Sequence, residues 1–146
     1  MPVSKTLFSH ESDEWATPQD LYDELNREFH FTLDACATEE NHKCERYYTK
    51  RDNGLNIYWG GESVFCNPPY SEVDKWVAKS FYETRCDFTT VVLLIPARTD
   101  TKYFHDYILN RSEIRFIKGR LKFGDAKYNA PFPSMVVIFR GAKTND

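Results

Sequence analysis

Residues 89 to 95 read Thr-Thr-Val-Val-Leu-Leu-Ile. A strand with one face in water alternates apolar and polar side chains. A nearly unbroken β-branched and aliphatic run is instead expected where both faces of the sheet are covered, as in sheets wrapped by helices. Four further segments have strand composition: "FHFTL" at 29–33, "SVFC" at 63–66, "IRFI" at 114–117 and "MVVIF" at 135–139. Helical patterns lie between them. Thr17 before Pro18 looks like a cap with proline at the first helical position, Asp20 suits the first turn, and Leu21, Leu25 and Glu28 carry the helix to about residue 28. Ser71 with Asp74 starts a second helix whose stripe is Val73, Trp76, Val77 and Phe81. A third covers 101–110, with Phe104, Tyr107 and Ile108 facing inward. Strands alternating with helices predict an α/β fold with a mostly parallel central sheet and helices on both faces.

At 146 residues and 41% hydrophobic, the chain suits one domain, 1–146, with a core at about 15–140 that needs neither disulfides nor a metal. There is no internal repeat or low-complexity linker, and only the first dozen and last six residues look frayed. The longest apolar run falls short of the 18 or more residues of a membrane helix, and the first thirty residues are too acidic and polar for a signal peptide. A cytoplasmic protein without membrane contact is expected. Cys36, Cys44, Cys66 and Cys86 form no CxxC pair, and Cys36, His42 and Cys44 are a weak match to metal-ligand spacing, so no metal is expected. The formal net charge is −3, but residues 91–146 carry 10 Lys/Arg against 5 Asp/Glu. Arg111, Arg115, Lys118, Arg120, Lys122 and Lys127 concentrate this charge, either as a solvated face or as a phosphate-binding one.

Ligands of open α/β sheets bind beyond the carboxyl ends of the strands. Three polar segments fall there: "DACAT" at 34–38, "NPPY" at 67–70 and "PARTD" at 96–100. Prolines fix φ and push the preceding residue to extended geometry, so Asn67, Pro68 and Pro69 follow one rigid path. The Asn67 side-chain oxygen and the Pro68 carbonyl then form two held acceptors beside the Tyr70 ring. Such a pair suits a planar amine. The exocyclic nitrogen of adenine is a poor nucleophile until acceptors bind its N–H groups and stabilise the positive charge that develops on it. Tyr70 is placed to stack on the base, an interaction worth about 1–3 kcal/mol that offsets much of the cost of flipping it from a duplex. No general base is needed, because the proton can leave after methyl transfer.

At these residues the chain resembles the amino-group methyltransferases dependent on S-adenosylmethionine, most closely the small phage-type, Dam-like N6-adenine DNA methyltransferases. The resemblance spans roughly residues 15–140. "NPPY" matches the catalytic motif, "WATPQDL" at 15–21 is similar to an N-terminal cofactor segment, and "FTLDACAT" resembles the strand and loop that precede cofactor. "RDNGL" at 51–55 is similar to the acidic segment before the catalytic strand, and "LLIPARTDTKYFH" and "KGRLKFG…NAPFPSMVVIF" are characteristic of the phage group. The resemblance implies a Rossmann-like fold reduced in size, S-adenosylmethionine as cofactor, double-stranded DNA as partner and a phage or prophage origin. It places the catalytic role on Asn67, Pro68, Pro69 and Tyr70. It places cofactor binding on Thr17 and Pro18 near the methionine end, on Asp34, Ala35, Cys36 and Ala37 at the first loop, on Asp52 near the adenine end, and also on Trp15 and Leu55. Arg98, Arg120 and Lys122 are the expected DNA contacts, with Phe132 as a second aromatic wall for the base. The loop "DACATEEN" departs from the family by having no glycine, so backbone approach there rests on the small side chains of Ala35, Cys36 and Ala37. The helix that begins at Pro18 offers free N–H groups to a carboxylate, independently of the family.

Read alone, Thr17 and Asp34 are also an ordinary cap and turn residue, Asp52-Asn53-Gly54 an ordinary turn, Phe132 core filler, and Arg98-Thr99-Asp100 a local helix start. Two other functions stay open at this point: the same chemistry on RNA or on a protein glutamine, and a DNA- or cofactor-binding module without catalysis. No separate target-recognition domain is evident, so target choice is expected from loops, the stretch 111–130 first among them, or from a second subunit in a homodimer.

Overall fold

The apolar run forms the middle of a five-stranded sheet. The computed structural model describes residues 16–85, 88–124 and 129–141. The strands are β1 (Leu33–Asp34), β2 (Ser63–Cys66), β3 (Thr90–Pro96), β4 (Glu113–Phe116) and β5 (Ser134–Arg140). Their order across the sheet is β1-β2-β3-β5-β4. β1 pairs with β2 and β2 with β3 in parallel, whereas β5 is antiparallel to both β3 and β4. Four strands therefore share one direction and β5 alone runs against them. Because β5 lies between β3 and β4, the sheet is mixed in its pairings rather than mostly parallel. The β4–β5 connection joins antiparallel neighbours, which need no crossover helix.

Side-chain alternation on β2, β3 and β5 builds two cores. Val64, Cys66, Val91, Leu93, Ile95, Val137 and Phe139 face α2 (Val73–Glu83) and the turn at Phe104–Ile108. Phe65, Val92, Leu94, Val136 and Ile138 face α1 (Gln19–Phe29), through Tyr22 and Leu25. Helices thus cover both faces, as the unbroken apolar run of β3 requires. Each aliphatic or aromatic side chain fully buried here contributes about 1.5–3 kcal/mol relative to exposure.

Three local expectations are corrected. The first strand is not 29–33: α1 continues to Phe29 and stops at His30, whose left-handed φ of 49° lets its N–H donate to the Asn26 carbonyl. Phe29 and Phe31 then stack on each other at 5.9 Å, and Phe31 also packs against Phe65 of β2, 5.4 Å away. The helix expected over 101–110 is a π-helical turn, Phe104–Ile108, with Leu109 N–H donating to the Phe104 carbonyl. Neither α-helix carries a side-chain cap bond: Pro18 occupies the cap position of α1, and Glu72, after a 3-10 turn at Tyr70–Glu72, that of α2.

The carboxyl end of α1 is tied to β4 and β5 by charge. Arg115 bonds Glu28 and Glu113, Arg140 bonds Glu113, and both guanidinium groups lie 5.6 Å from the Phe29 ring centre. Among the described residues no helix is long and apolar enough to cross a membrane.

Candidate active site

At the carboxyl ends of β1 and β2, on the rim where parallel strands leave their loops, lies a cavity of about 430 Å³. Its wall comes from three parts of the chain. Ala16 and Thr17 precede α1, residues between Asp34 and Gly54 follow β1, and Asn67, Pro69, Ser71, Glu72 and Trp76 follow β2. The volume lies within the range of small-molecule sites, about 300–1,000 Å³.

Asp34 organises the first loop. Its carboxylate is buried and accepts from the backbone N–H groups of Lys43 (2.9 Å) and Cys36 (3.4 Å). Burial pushes its pKa up, while these two donors pull it down. The loop is closed further by Ala37 N–H donating to the Tyr48 carbonyl and Tyr48 N–H donating to that of Asp34. Ala35 is buried, and its N–H donates to the carbonyl of Phe65, leaving Cys36 and Ala37 partly exposed on the cavity wall. The Ala35 bond continues the parallel pairing of β1 with β2 by one residue, so the segment turns away only at Cys36.

Gly54 forms part of the wall beside Ala35. A Cβ there would lie 2.7 Å from the Ala35 carbonyl oxygen and 3.3 Å from two ring atoms of Trp76. The Gly54 carbonyl also accepts from Trp59 Nε1 (3.1 Å), and the Trp59 and Trp76 rings stack at 6.2 Å. The absence of a side chain at Gly54 thus lets its backbone pack against the Ala35 carbonyl and the Trp76 ring, both of which also line the cavity. Sequence reading assigned Trp76 only to the apolar stripe of α2; nothing in its helical spacing distinguishes a core tryptophan from one that also lines a cavity. Lys43, Thr49, Lys50 and Asn53 also line the cavity and were not singled out either, being ordinary loop residues by composition. Asp52 does not line it: its carboxylate accepts from the N–H and hydroxyl of Thr49 and holds the turn that presents Thr49 and Asn53. Leu55 packs against the core from a partly buried position, and Pro18 lies outside the lining, its carbonyl accepting from Tyr22 N–H. Trp15 lies outside the described residues, as do Cys86 and Lys127.

The Asn-Pro-Pro-Tyr loop brings Asn67 to the cavity. Its Nδ2 donates to the Thr17 hydroxyl at 2.9 Å, so β2 and the start of α1 are joined at the site. Thr17 is buried and does not cap the helix. Pro68 is buried behind the loop, and Pro69, at φ −60° and ψ 133°, sends the chain into the short turn before α2. Tyr70 is held edge-to-face by Phe132 (5.1 Å) and Phe123 (6.3 Å), and burial raises its pKa. Phe132 therefore belongs to the aromatic cluster that braces Tyr70. Arg98 is exposed at the end of β3, on the same rim but outside the cavity lining.

The basic segment divides. Arg115 is committed to Glu28 and Glu113, and Arg111 donates to the Asp106 carbonyl. Lys118, Arg120 and Lys122 are exposed and make no ion pair among the described residues. Among those residues no group of three or more His, Cys, Asp or Glu converges as metal ligands would; Cys44 Sγ instead meets the Tyr22 hydroxyl at 3.3 Å, and His42 bonds the Cys44 carbonyl.

Comparison with known proteins gives the same direction. The chain is 34% identical over 111 residues to the DNA N-6-adenine-methyltransferase of Escherichia phage T1, covering 75% of this chain and 46% of that protein. It is 32% identical over 147 residues to the DNA N-6-adenine-methyltransferase of Haemophilus phage HP1, covering 95% and 84%. A putative methyltransferase of Escherichia coli K12, YfdM, is 37% identical over 65 residues, 40% of this chain and 71% of that protein. The chain thus spans about half the length of the T1 protein and most of the HP1 one. The family model for DNA N-6-adenine-methyltransferase (Dam) matches residues 4–145, and the chain belongs to that family.

Proposed function

We propose how this chain carries out its family's reaction, methylation of the exocyclic N6 amine of adenine in DNA. The observation that carries the reading is that Asn67 of the Asn-Pro-Pro-Tyr loop lines the same cavity as the loop after β1, at the carboxyl ends of parallel strands. That placement supports a Rossmann-like methyltransferase fold, in which cofactor and target meet at the strand ends. It also supports S-adenosylmethionine as the occupant, which when bound supplies a methyl group on a positively charged sulfur. The residues present fit such a molecule: Gly54 lets its segment pack directly on the Ala35 carbonyl at the cavity wall, Trp76 offers an aromatic surface, and the uncapped start of α1 lies next to Thr17.

The Asn67 side-chain oxygen and the Pro68 carbonyl accept the two N–H groups of the amine. In doing so they draw the nitrogen lone pair out of conjugation with the ring and stabilise the positive charge that develops during transfer. The two prolines hold both acceptors in place before the substrate arrives, so little reorganisation is needed. Tyr70, braced by Phe123 and Phe132, stacks on the flipped base. Lys118, Arg120 and Lys122 hold DNA phosphates, and Arg98 approaches the duplex from the rim.

The test is incubation of the purified protein with methyl-tritiated S-adenosylmethionine and DNA, followed by mass spectrometry of the digested nucleosides. N6-methyladenine is expected. Asn67→Ala should lower kcat by about 10² to 10³ while leaving cofactor affinity nearly intact, by analogy with removal of one preorganised group at other charge-developing sites. Label found only in RNA or protein, N4-methylcytosine as the sole product, or full activity in Asn67→Ala would overturn the reading.

A further inference from the structure

β4 is an open edge of the sheet. Among the described residues it pairs with β5 on one side and with no strand on the other. Ile117 N–H donates to the Ser134 carbonyl, and inward and outward backbone groups alternate along an antiparallel strand. Glu113 and Arg115 therefore also bond β5, whereas Ile114 and Phe116 turn their N–H and C=O groups outward. Proline and lysine, common guards of such an edge, are absent from Glu113–Phe116, and the strand ends on Phe116, which is 65% exposed.

We propose that β4 pairs with β4 of a second copy of this chain, antiparallel about a two-fold axis at Ile114, so that two five-stranded sheets become one. The charges select this register. Ile114 exchanges both backbone bonds with Ile114 of the second copy, and Glu113 lies directly opposite Arg115 on either side of the axis, in narrow pairs with Cα atoms about 4.5 Å apart. Sliding the strands to the next register either way sets Arg115 against Arg115 or Glu113 against Glu113, and like charges directly opposite destabilise a ladder. On the other face of the strand Phe116 reaches diagonally over Ile114 of the second copy, a residue only partly buried within one chain. The edge is thus complementary to itself, as a two-fold interface requires. Arg115 and Glu113 keep their bonds to Glu28 and Arg140, so the new pairs extend a network rather than replace it. The axis reverses strand direction between the copies. Their two cavities then face opposite ways, and each copy acts on DNA by itself.

Sedimentation of the full chain should give twice the monomer mass at high micromolar concentration and a return toward the monomer on dilution. Amide exchange reads the register: Ile114 and Phe116 should slow on dimerisation, while Glu113 and Arg115, already bonded to β5, should not change. Phe116→Lys, at an exposed position, should weaken self-association about tenfold, because symmetry removes the contact twice, and leave kcat per chain unaltered. Glu113→Lys and Arg115→Glu should each be monomeric, and an equimolar mixture of the two should dimerise, since only then do opposite charges face each other. If either of these fails to fold, Phe116→Lys and the exchange pattern carry the test. A monomer at every concentration overturns the proposal. So does a dimer that Phe116→Lys leaves intact and in which the Ile114 amide exchanges freely. Slow exchange at Ile114 in a monomer would mean that another part of the same chain covers the edge, which overturns it as well.

Discussion

Two residues of the cavity wall carry opposite kinds of constraint, one of space and one of charge. At Gly54 the obstacle to any side chain is the carbonyl oxygen of Ala35, a backbone atom 2.7 Å from the Cβ position, with Trp76 ring atoms at 3.3 Å. A backbone atom cannot swing aside as a side chain can. Gly54→Ala is therefore expected to cost about 1–3 kcal/mol of stability, as overpacking does. It should also reduce the rise in melting temperature given by S-adenosylmethionine, since Gly54, Ala35 and Trp76 all line the cavity and cannot all keep their places; an unaltered cofactor-dependent rise would remove Gly54 from the binding surface. At Asp34 burial raises the carboxyl pKa against the pull of the Lys43 and Cys36 amides. For an acid with a raised folded pKa, the contribution to stability is fully present below the unfolded value, about 3.9, and is lost as pH rises through the folded value. Asp34→Asn stays neutral and keeps one acceptor for the two N–H groups. The melting temperature of the wild type minus that of Asp34→Asn should therefore decrease as pH is raised from about 4 through the raised pKa. A difference flat in pH would mean that the carboxylate is solvated.

Elements show why some of the site was legible in the chain and some was not. Asn67-Pro68-Pro69-Tyr70 could be read because proline rigidity is local, and the strand before it because β-branched residues mark it. Thr17 could be read as important but not in its role, since its bond to Asn67 depends on α1 and β2 meeting in space. The same limit applies to Arg115: its charge counted toward a basic face, but β4 carries it to Glu28 and Glu113, where it ties the end of α1 to the sheet edge. Lys118, Arg120 and Lys122 in the segment after β4 remain exposed. The two groups should therefore separate experimentally. Replacing Arg120 and Lys122 together with alanine should reduce the salt dependence of DNA binding by about two units of slope, one for each phosphate deprived of its cation, and weaken all sequences alike. Arg115→Ala should leave that slope alone and lower thermal stability modestly, as an exposed but networked ion pair does. The reverse pattern would place the DNA on the α1–β4 side of the molecule.

Across the whole molecule, the alternation of strands and helices pointed to parallel neighbours, which β1–β2 and β2–β3 are, while the antiparallel place of β5 was not readable. Met135 to Phe139 has the same composition whether its neighbours are parallel or antiparallel, and only the register with β3 and β4 fixes it. The long connection from β1 to β2 was equally opaque. Apart from a short 3-10 turn at Gly54–Asn56 it contains neither a helix nor a named strand, and it is held by the Asp34–Tyr47 bridge and the Asp34 carboxylate. Connections of this length without regular structure are uncommon in compact domains and usually functional. Here the connection supplies one wall of the cavity, while Ala16, Thr17 and the loop after β2 supply the others. An occupant would touch all three parts of the chain and add to the bond by which Asn67 and Thr17 already join two of them. Saturating S-adenosylmethionine, at about 100 times its Kd, should stabilise the fold by about 2.7 kcal/mol. Amide hydrogen exchange should slow at residues 35–53 and around 67–72, where local opening separates the walls, and remain unchanged in β4, which touches none of them. Protection centred instead on the open groove beside Asn26, Thr32 and Arg46 would move the cofactor site to the other side of the first loop and with it the assignment of Thr17, Gly54 and Trp76.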